Sequence, residues 1–249
     1  MKNFFKLTAA FLFFGTSLMA QNATEIVKKA NDKVQGEESS YSTMTMKIVR
    51  PTWDREITFK SWTLGTKYSM VYITAPAKEK GQVFLKRDRE MWNWNPSISR
   101  MIKLPPSMLS QGWMGSDFTN DDLLNQSSIV VDYDHAITGS ERINNSDCYK
   151  IELNPHEDAP VVWGKIEMWI SKDEYLIMKA MYYDEDEYLV KTELVKESGV
   201  RDGRVIATVM ELIPADEEGH KTIITMGEVK FNTNIEQAFF SQQNMKRVH

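Results

Sequence analysis

The chain has 249 residues, 42% of them hydrophobic and 26% charged, a composition that fits a globular protein with a sizeable core and excludes collagen-like and disordered classes. The formal charge of −5 leaves no uniform basic field for holding nucleic acid or coating an anionic membrane, and no nucleic-acid partner is expected. The single cysteine, Cys148, excludes an intramolecular disulfide and a multi-cysteine zinc site, so packing must hold the fold together.

In chain order, Met1 to Ala20 comes first: Lys2 and Lys6, then an apolar run from Leu7 to Phe14, then small residues around Ser17 and Ala20. This is the pattern of a secretory signal peptide cut after Ala20. The apolar run is shorter than the about 20 residues a membrane-crossing helix needs. The expected organisation is therefore a signal peptide over 1–20 and one domain over 21–249. From Thr24 to Val34, Ile26, Val27, Ala30 and Val34 recur at helical spacing among lysines, and Gly36 ends the helix.

The period then changes to two. Met44, Met46 and Ile48 alternate with polar residues, and Ile57, Phe59 and Ser61 repeat the pattern. Similar runs follow at 67–73, 82–86, 90–95, 129–137, 148–153, 165–171, 176–184, 188–196, 204–213 and 222–231, many separated by Gly, Asn and Asp turn residues. The reading is about 10–11 antiparallel strands, forming either a curled sheet with one concave face or a β-sandwich; periodicity alone leaves both open. One segment breaks the pattern. Between Leu104 and Gln126 the apolar residues Met108, Leu109, Trp113, Met114, Phe118, Leu123 and Leu124 do not alternate, which predicts short helices or a packed loop lying across a sheet face as a lid.

No strong catalytic signature occurs: there is no nucleophile elbow, phosphate-binding loop or metalloprotease motif. His135 lies near Asp132 and Asp134, and His156 precedes Glu157 and Asp158, but at strand ends such groups are usually solvated, and neither a metal nor a cofactor is expected. The acidic run Asp184 to Glu187 reads as a hairpin turn. Ser116 and Asp117 would need an activating histidine for nucleophilic chemistry, and the simpler reading is a tight turn at Gly115 with one of them capping a helical piece over 121–124. Fifteen methionines and seven tryptophans are more informative, because methionine adapts its shape to varied apolar guests. Met101, Met108 and Met114 cluster with Trp113 and Phe118 in and just before the lid.

The stretch Met91-Trp92-Asn93-Trp94-Asn95-Pro96, with Arg100 and Ile102, followed by Met114-Gly115-Ser116-Asp117-Phe118-Thr119, resembles the LolA-like outer-membrane lipoprotein-sorting family. The likeness is greatest to its secreted, largely uncharacterised branch and covers nearly the whole chain after Ala20. It implies an α+β, mainly β fold: a half-open antiparallel β-barrel with short helices covering a concave apolar face that shelters acyl chains. The function it implies is a periplasmic carrier taking lipoprotein acyl chains or phospholipid from an inner-membrane transporter toward an outer-membrane acceptor, without catalysis. Its expected ligand-binding residues are Trp92, Trp94, Pro96, Arg100, Met101, Met108, Trp113, Met114 and Phe118. In the best-known carrier an early-strand arginine latches the lid; here Lys67 stands nearest that position, and Arg100 is the better basic candidate. The competing functions are a lipid-ester hydrolase using Ser116 or the Asp132, Asp134 and His135 group, and a non-catalytic adaptor of a membrane lipid transporter.

Overall fold

Helical spacing of small and branched apolar residues produces the first element, helix α1 over 22–33, whose Ala23, Ile26, Val27 and Ala30 are all buried. Its outer face carries the i,i+4 pairs Glu25–Lys29 at 2.9 Å and Lys28–Asp32 at 2.5 Å. The computed structural model describes residues 22–33, 38–88, 90–108, 111–120, 122, 128–159 and 161–249. The expected signal peptide and the helical piece read at 121–124, apart from Asp122, lie outside them.

Alternation then builds thirteen strands: β1 (Ser39–Arg50), β2 (Trp53–Leu64), β3 (Tyr68–Ala75), β4 (Val83–Arg87), β5 (Glu90–Asn95), β6 (Arg100–Lys103), β7 (Tyr133–Ile143), β8 (Ser146–Pro155), β9 (Lys165–Ser171), β10 (Ile177–Tyr183), β11 (Leu189–Arg201), β12 (Arg204–Pro214) and β13 (Lys221–Phe231). All lie in one antiparallel sheet, so the sandwich alternative does not hold. The expected ten or eleven strands were too few. Alternation does not mark β6, whose four residues offer only two adjacent apolar side chains, Met101 and Ile102. Ile129 and Val130, read as the start of a strand, instead form a 3-10 turn ahead of β7.

The topology is two meanders joined at their ends. β1 to β6 run outward on one side, β7 to β13 return from the other, and β13 pairs with β1 at the centre. The sheet stays open, with β6 and β7 as its two edges and the segment from Leu104 to Asp132 connecting them.

Cross-strand register defines the faces. Met46 stands opposite Ile57 and Ile224, and Met44 opposite Phe59 and Met226, so these side chains share one face, called inner here. The same face continues through Met210 and Leu212, then Lys191 and Glu193, Ala180 and Tyr182, Ile166 and Met168, and Ile151 and Leu153. Helix α1 packs on its β7–β10 half, and Trp113 of the connecting segment packs on its β1–β4 half. The outer face is closed over β3 to β5 by the C-terminal segment, whose Phe240 and Met245 are buried against Met70, Tyr72, Val83 and Leu85.

Candidate functional site

The lid is a tight loop with its own hydrogen bonds. Gly112 and Thr119 form a bridge, the Trp113 amide donates to the Phe118 carbonyl at 2.6 Å, and the Asn120 side chain donates to the Met108 carbonyl at 2.9 Å. A side chain at Gly112 would meet the Ser116 carbonyl oxygen at 2.5 Å, so the close turn requires glycine there. The Ser116 hydroxyl donates to the Trp113 carbonyl at 2.8 Å and accepts from the Phe118 amide at 3.2 Å. That is a turn-building role. The cap that follows is Thr119, whose hydroxyl accepts from the Asp122 amide at 3.1 Å while the Asp122 carboxylate accepts from the Thr119 amide at 2.7 Å. The reciprocal capping pair is thus Thr119 with Asp122, not the expected cap at Ser116 or Asp117.

This loop seats Trp113 edge-on against Phe59 and Phe84, with ring centroids 5.4 Å apart in each case, among Met46, Ile57 and Ile73. Met114 and Phe118 pack beside it, half-buried. Three basic side chains and one threonine of the inner face hold the loop down. Arg50, at the end of β1, donates to both Asp117 carboxylate oxygens at 2.8 and 3.1 Å and to the Gly115 carbonyl at 3.2 Å. The Thr222 hydroxyl adds a 2.6 Å bond to Asp117. Arg55 on β2 donates to the Met114 carbonyl. Lys191, only 3% exposed, pairs with Asp122 at 2.5 Å and lies 4.7 Å from the ring centres of Trp163 and Tyr182. Near this pair, burial pushes the Glu193 carboxyl up and the Tyr182 phenol well above its ordinary value.

Two features of this arrangement are costly. Met114 holds a left-handed backbone conformation, φ 54° and ψ 20°, which a side-chain-bearing residue adopts only at a cost of about 1–3 kcal/mol. The Trp113 indole N–H is buried without an acceptor among the described residues, a loss of about 1–3 kcal/mol.

The nine residues expected to bind ligand are divided by the sheet. Trp113, Met114 and Phe118 lie on the inner face, and Met108 sits at the root of the lid. Trp92, Trp94 and Met101 pack on the outer-face cluster beneath the C-terminal segment, since Trp92 and Trp94 stand opposite Leu85 and Val83 in the register. Pro96 opens a 3-10 turn at the β5–β6 connection, near Gly81, and Arg100 is exposed on the edge strand. The basic groups that meet the lid are Arg50, Arg55 and Lys191. Lys67, the other expected latch, is exposed and faces Asp88 at 3.9 Å. A signal for the true ties exists in the chain: Arg55 continues the inner-face alternation of Ile57 and Phe59, and Lys191 that of Glu193 and Val195. A charge in the buried phase of a strand needs a partner.

The other polar candidates have structural explanations. His135 bridges the Thr24 hydroxyl of α1 at 3.1 Å and the Ile129 carbonyl at 2.7 Å, and burial lowers its pKa. His156 faces Asp134 at 3.4 Å on the exposed surface. Asp184 accepts from the amides of Asp186 and Tyr188 in a hairpin turn. Among the described residues, Asp117, Glu217 and His220 bring ligand atoms within 4.8 Å of one another, yet Asp117 is already neutralised by Arg50, whose charge opposes a cation. Cys148 is buried and its thiol pKa raised, which makes it inert.

A family model described as an uncharacterized protein matches residues 65–247. The chain belongs to that family. Its LolA-like fold is shared with a DUF1329 family protein from Desulfovibrio piger at 24% identity and TM-score 0.83, covering 91% of this chain and 99% of that one. It is likewise similar to a LolA superfamily protein from Nitrosomonas europaea, at 23% identity and TM-score 0.75 over 89% of this chain and 98% of that one. A third, provisionally described as an outer-membrane lipoprotein-sorting protein domain from Vibrio parahaemolyticus, has 22% identity and TM-score 0.79, with 92% and 100% covered. No curated protein matches the chain.

Proposed function

We propose that this LolA-like chain is a non-catalytic periplasmic carrier, exported by a signal peptide over 1–20 and folded as one domain over 21–249. It would shelter the acyl chains of a lipoprotein or phospholipid on its way toward the outer membrane. The observation that carries this reading is the lid: an aromatic plug seated on an apolar inner face, tied by three basic side chains and opposed by its own strained backbone and unpaired indole N–H. Charge-assisted hydrogen bonds such as those from Arg50 contribute about 1.5–3 kcal/mol each, the same order as the opposing costs. The two costs offset part of that hold, and the ligand supplies the rest. Burying an acyl chain gains about 0.8 kcal/mol per CH₂, and that chain takes the place Trp113 vacates.

The Ser116 hydroxyl is committed to two bonds within its turn, which argues against the hydrolase alternative. The test is mass spectrometry of solvent extracts of the purified protein, with an unrelated periplasmic protein from the same cells as control. Stoichiometric phospholipid or acylated peptide is expected; background lipid alone, in a folded sample, would overturn the carrier reading in favour of an adaptor.

A further inference from the structure

Along one cross-strand row of the inner face, Ser40 of β1 stands opposite Thr63 of β2, Thr63 opposite Ser69 of β3, Ser69 opposite Lys86 of β4, and Lys86 opposite Met91 of β5. Directly opposite residues of an antiparallel pair have Cβ atoms about 4.5–5.5 Å apart, so this row is a line of three hydroxyls ending at an ammonium. The Ser40 and Thr63 hydroxyls are 2.7 Å apart. Lys86 shares the face of Phe84, which touches Trp113, while its neighbours Val83 and Leu85 point the other way into the C-terminal cluster.

Lys86 is only 7% exposed, and its ammonium makes no side-chain hydrogen bond or ion pair with any described residue. A largely buried cation with no carboxylate in contact is costly, and its desolvation lowers the pKa to about 8; the charge of Asp88, which faces Lys67 at 3.9 Å, counters this only in part. The next row, Ser42–Ser61–Val71–Phe84, becomes apolar at Val71 and Phe84, beside Ser69 and Lys86, and the row beyond it, Met44–Phe59–Ile73, is wholly apolar; both meet the cluster that seats Trp113. Hydroxyls and an ammonium next to an apolar surface form an amphipathic site whose polar end suits an anion.

We propose that Lys86, with the hydroxyls of Ser40, Thr63 and Ser69, seats the acidic head group, a phosphate or a carboxylate, of the lipid whose chains lie on the neighbouring apolar rows. The proposal deepens the carrier reading by naming the ligand class, an anionic amphiphile.

It is tested by measuring affinity for two matched pairs: dioleoylphosphatidylglycerol against dioleoylglycerol, and oleate against oleyl alcohol. The wild-type protein is expected to prefer the acidic member of at least one pair about tenfold, and the pair preferred identifies phosphate or carboxylate. In Lys86→Met that preference falls to near parity while neutral lipid still binds; Lys86→Arg retains part of it. The methionine variant removes an unpaired buried charge and so keeps its fold. Equal binding of acidic and neutral members by the wild type, or a preference unchanged in Lys86→Met, overturns the head-group site and leaves the carrier reading standing. Failure of all four lipids to bind overturns both. Inorganic phosphate that binds at Lys86 and is not displaced by dioleoylphosphatidylglycerol also overturns the lipid assignment.

Discussion

Two residues show how single charges set the balance of this molecule. Asp117 collects Arg50 and Thr222 and transmits their hold to the lid, so Asp117→Asn should weaken the lid and leave the sheet intact. The expected result is amide exchange at 112–120 faster by about tenfold, with exchange at β1 and β13 unchanged. Lys86 acts in the opposite sense, as a cost to the folded protein. Its pKa falls from the ordinary 10.5 to about 8, so between these values the unfolded chain binds more protons than the native one, and stability rises with pH. Below about pH 8 both states are protonated and the full penalty, about 3 kcal/mol, is present. Urea denaturation should therefore find Lys86→Met more stable than wild type at pH 7 by that order. The gap should close as pH rises from 8 toward 10.5; a constant gap would contradict it.

Among elements, the C-terminal segment carries a packing role that its composition only half discloses. Phe239 and Phe240 announce an apolar contact, but nothing local says that the contact lies on the outer face of β3–β5, where Phe240 is 1% exposed. Truncating Phe240 to alanine should cost about 3–5 kcal/mol, read by chemical denaturation, while lipid binding per folded molecule stays unchanged because the segment lies across the sheet from the lid. The same division separates two aromatic substitutions. Phe118→Gln on the inner face should reduce lipid binding, whereas Trp94→Gln on the outer face should lower stability and spare binding. An equal loss of binding in both folded variants would contradict the face assignment. Strands with one covered face, such as β1, were legible from alternation. Strand β4 was harder, since Val83, Phe84, Leu85 and Lys86 are all buried and the period disappears.

For the whole molecule, an open sheet with α1 and the lid on one face divides its inner surface into a half covered by the helix and a half covered by the loop that seats Trp113. Loading with lipid should displace Trp113, so amide exchange at 112–120 should rise on binding while α1 keeps its protection; protection of both would argue that ligand binds elsewhere. By itself, the sequence determined the amphipathic helix, the antiparallel strand content and the aromatic and methionine residues of the lid, because each depends on spacing within a short stretch. Only the tertiary structure decided that β13 closes on β1, that Trp92 and Trp94 turn away from Trp113, and that Arg50 reaches Asp117 across 67 positions of chain. Alternation reports that the two faces of a strand differ but not what each face meets, and a salt bridge between distant residues leaves no periodic trace.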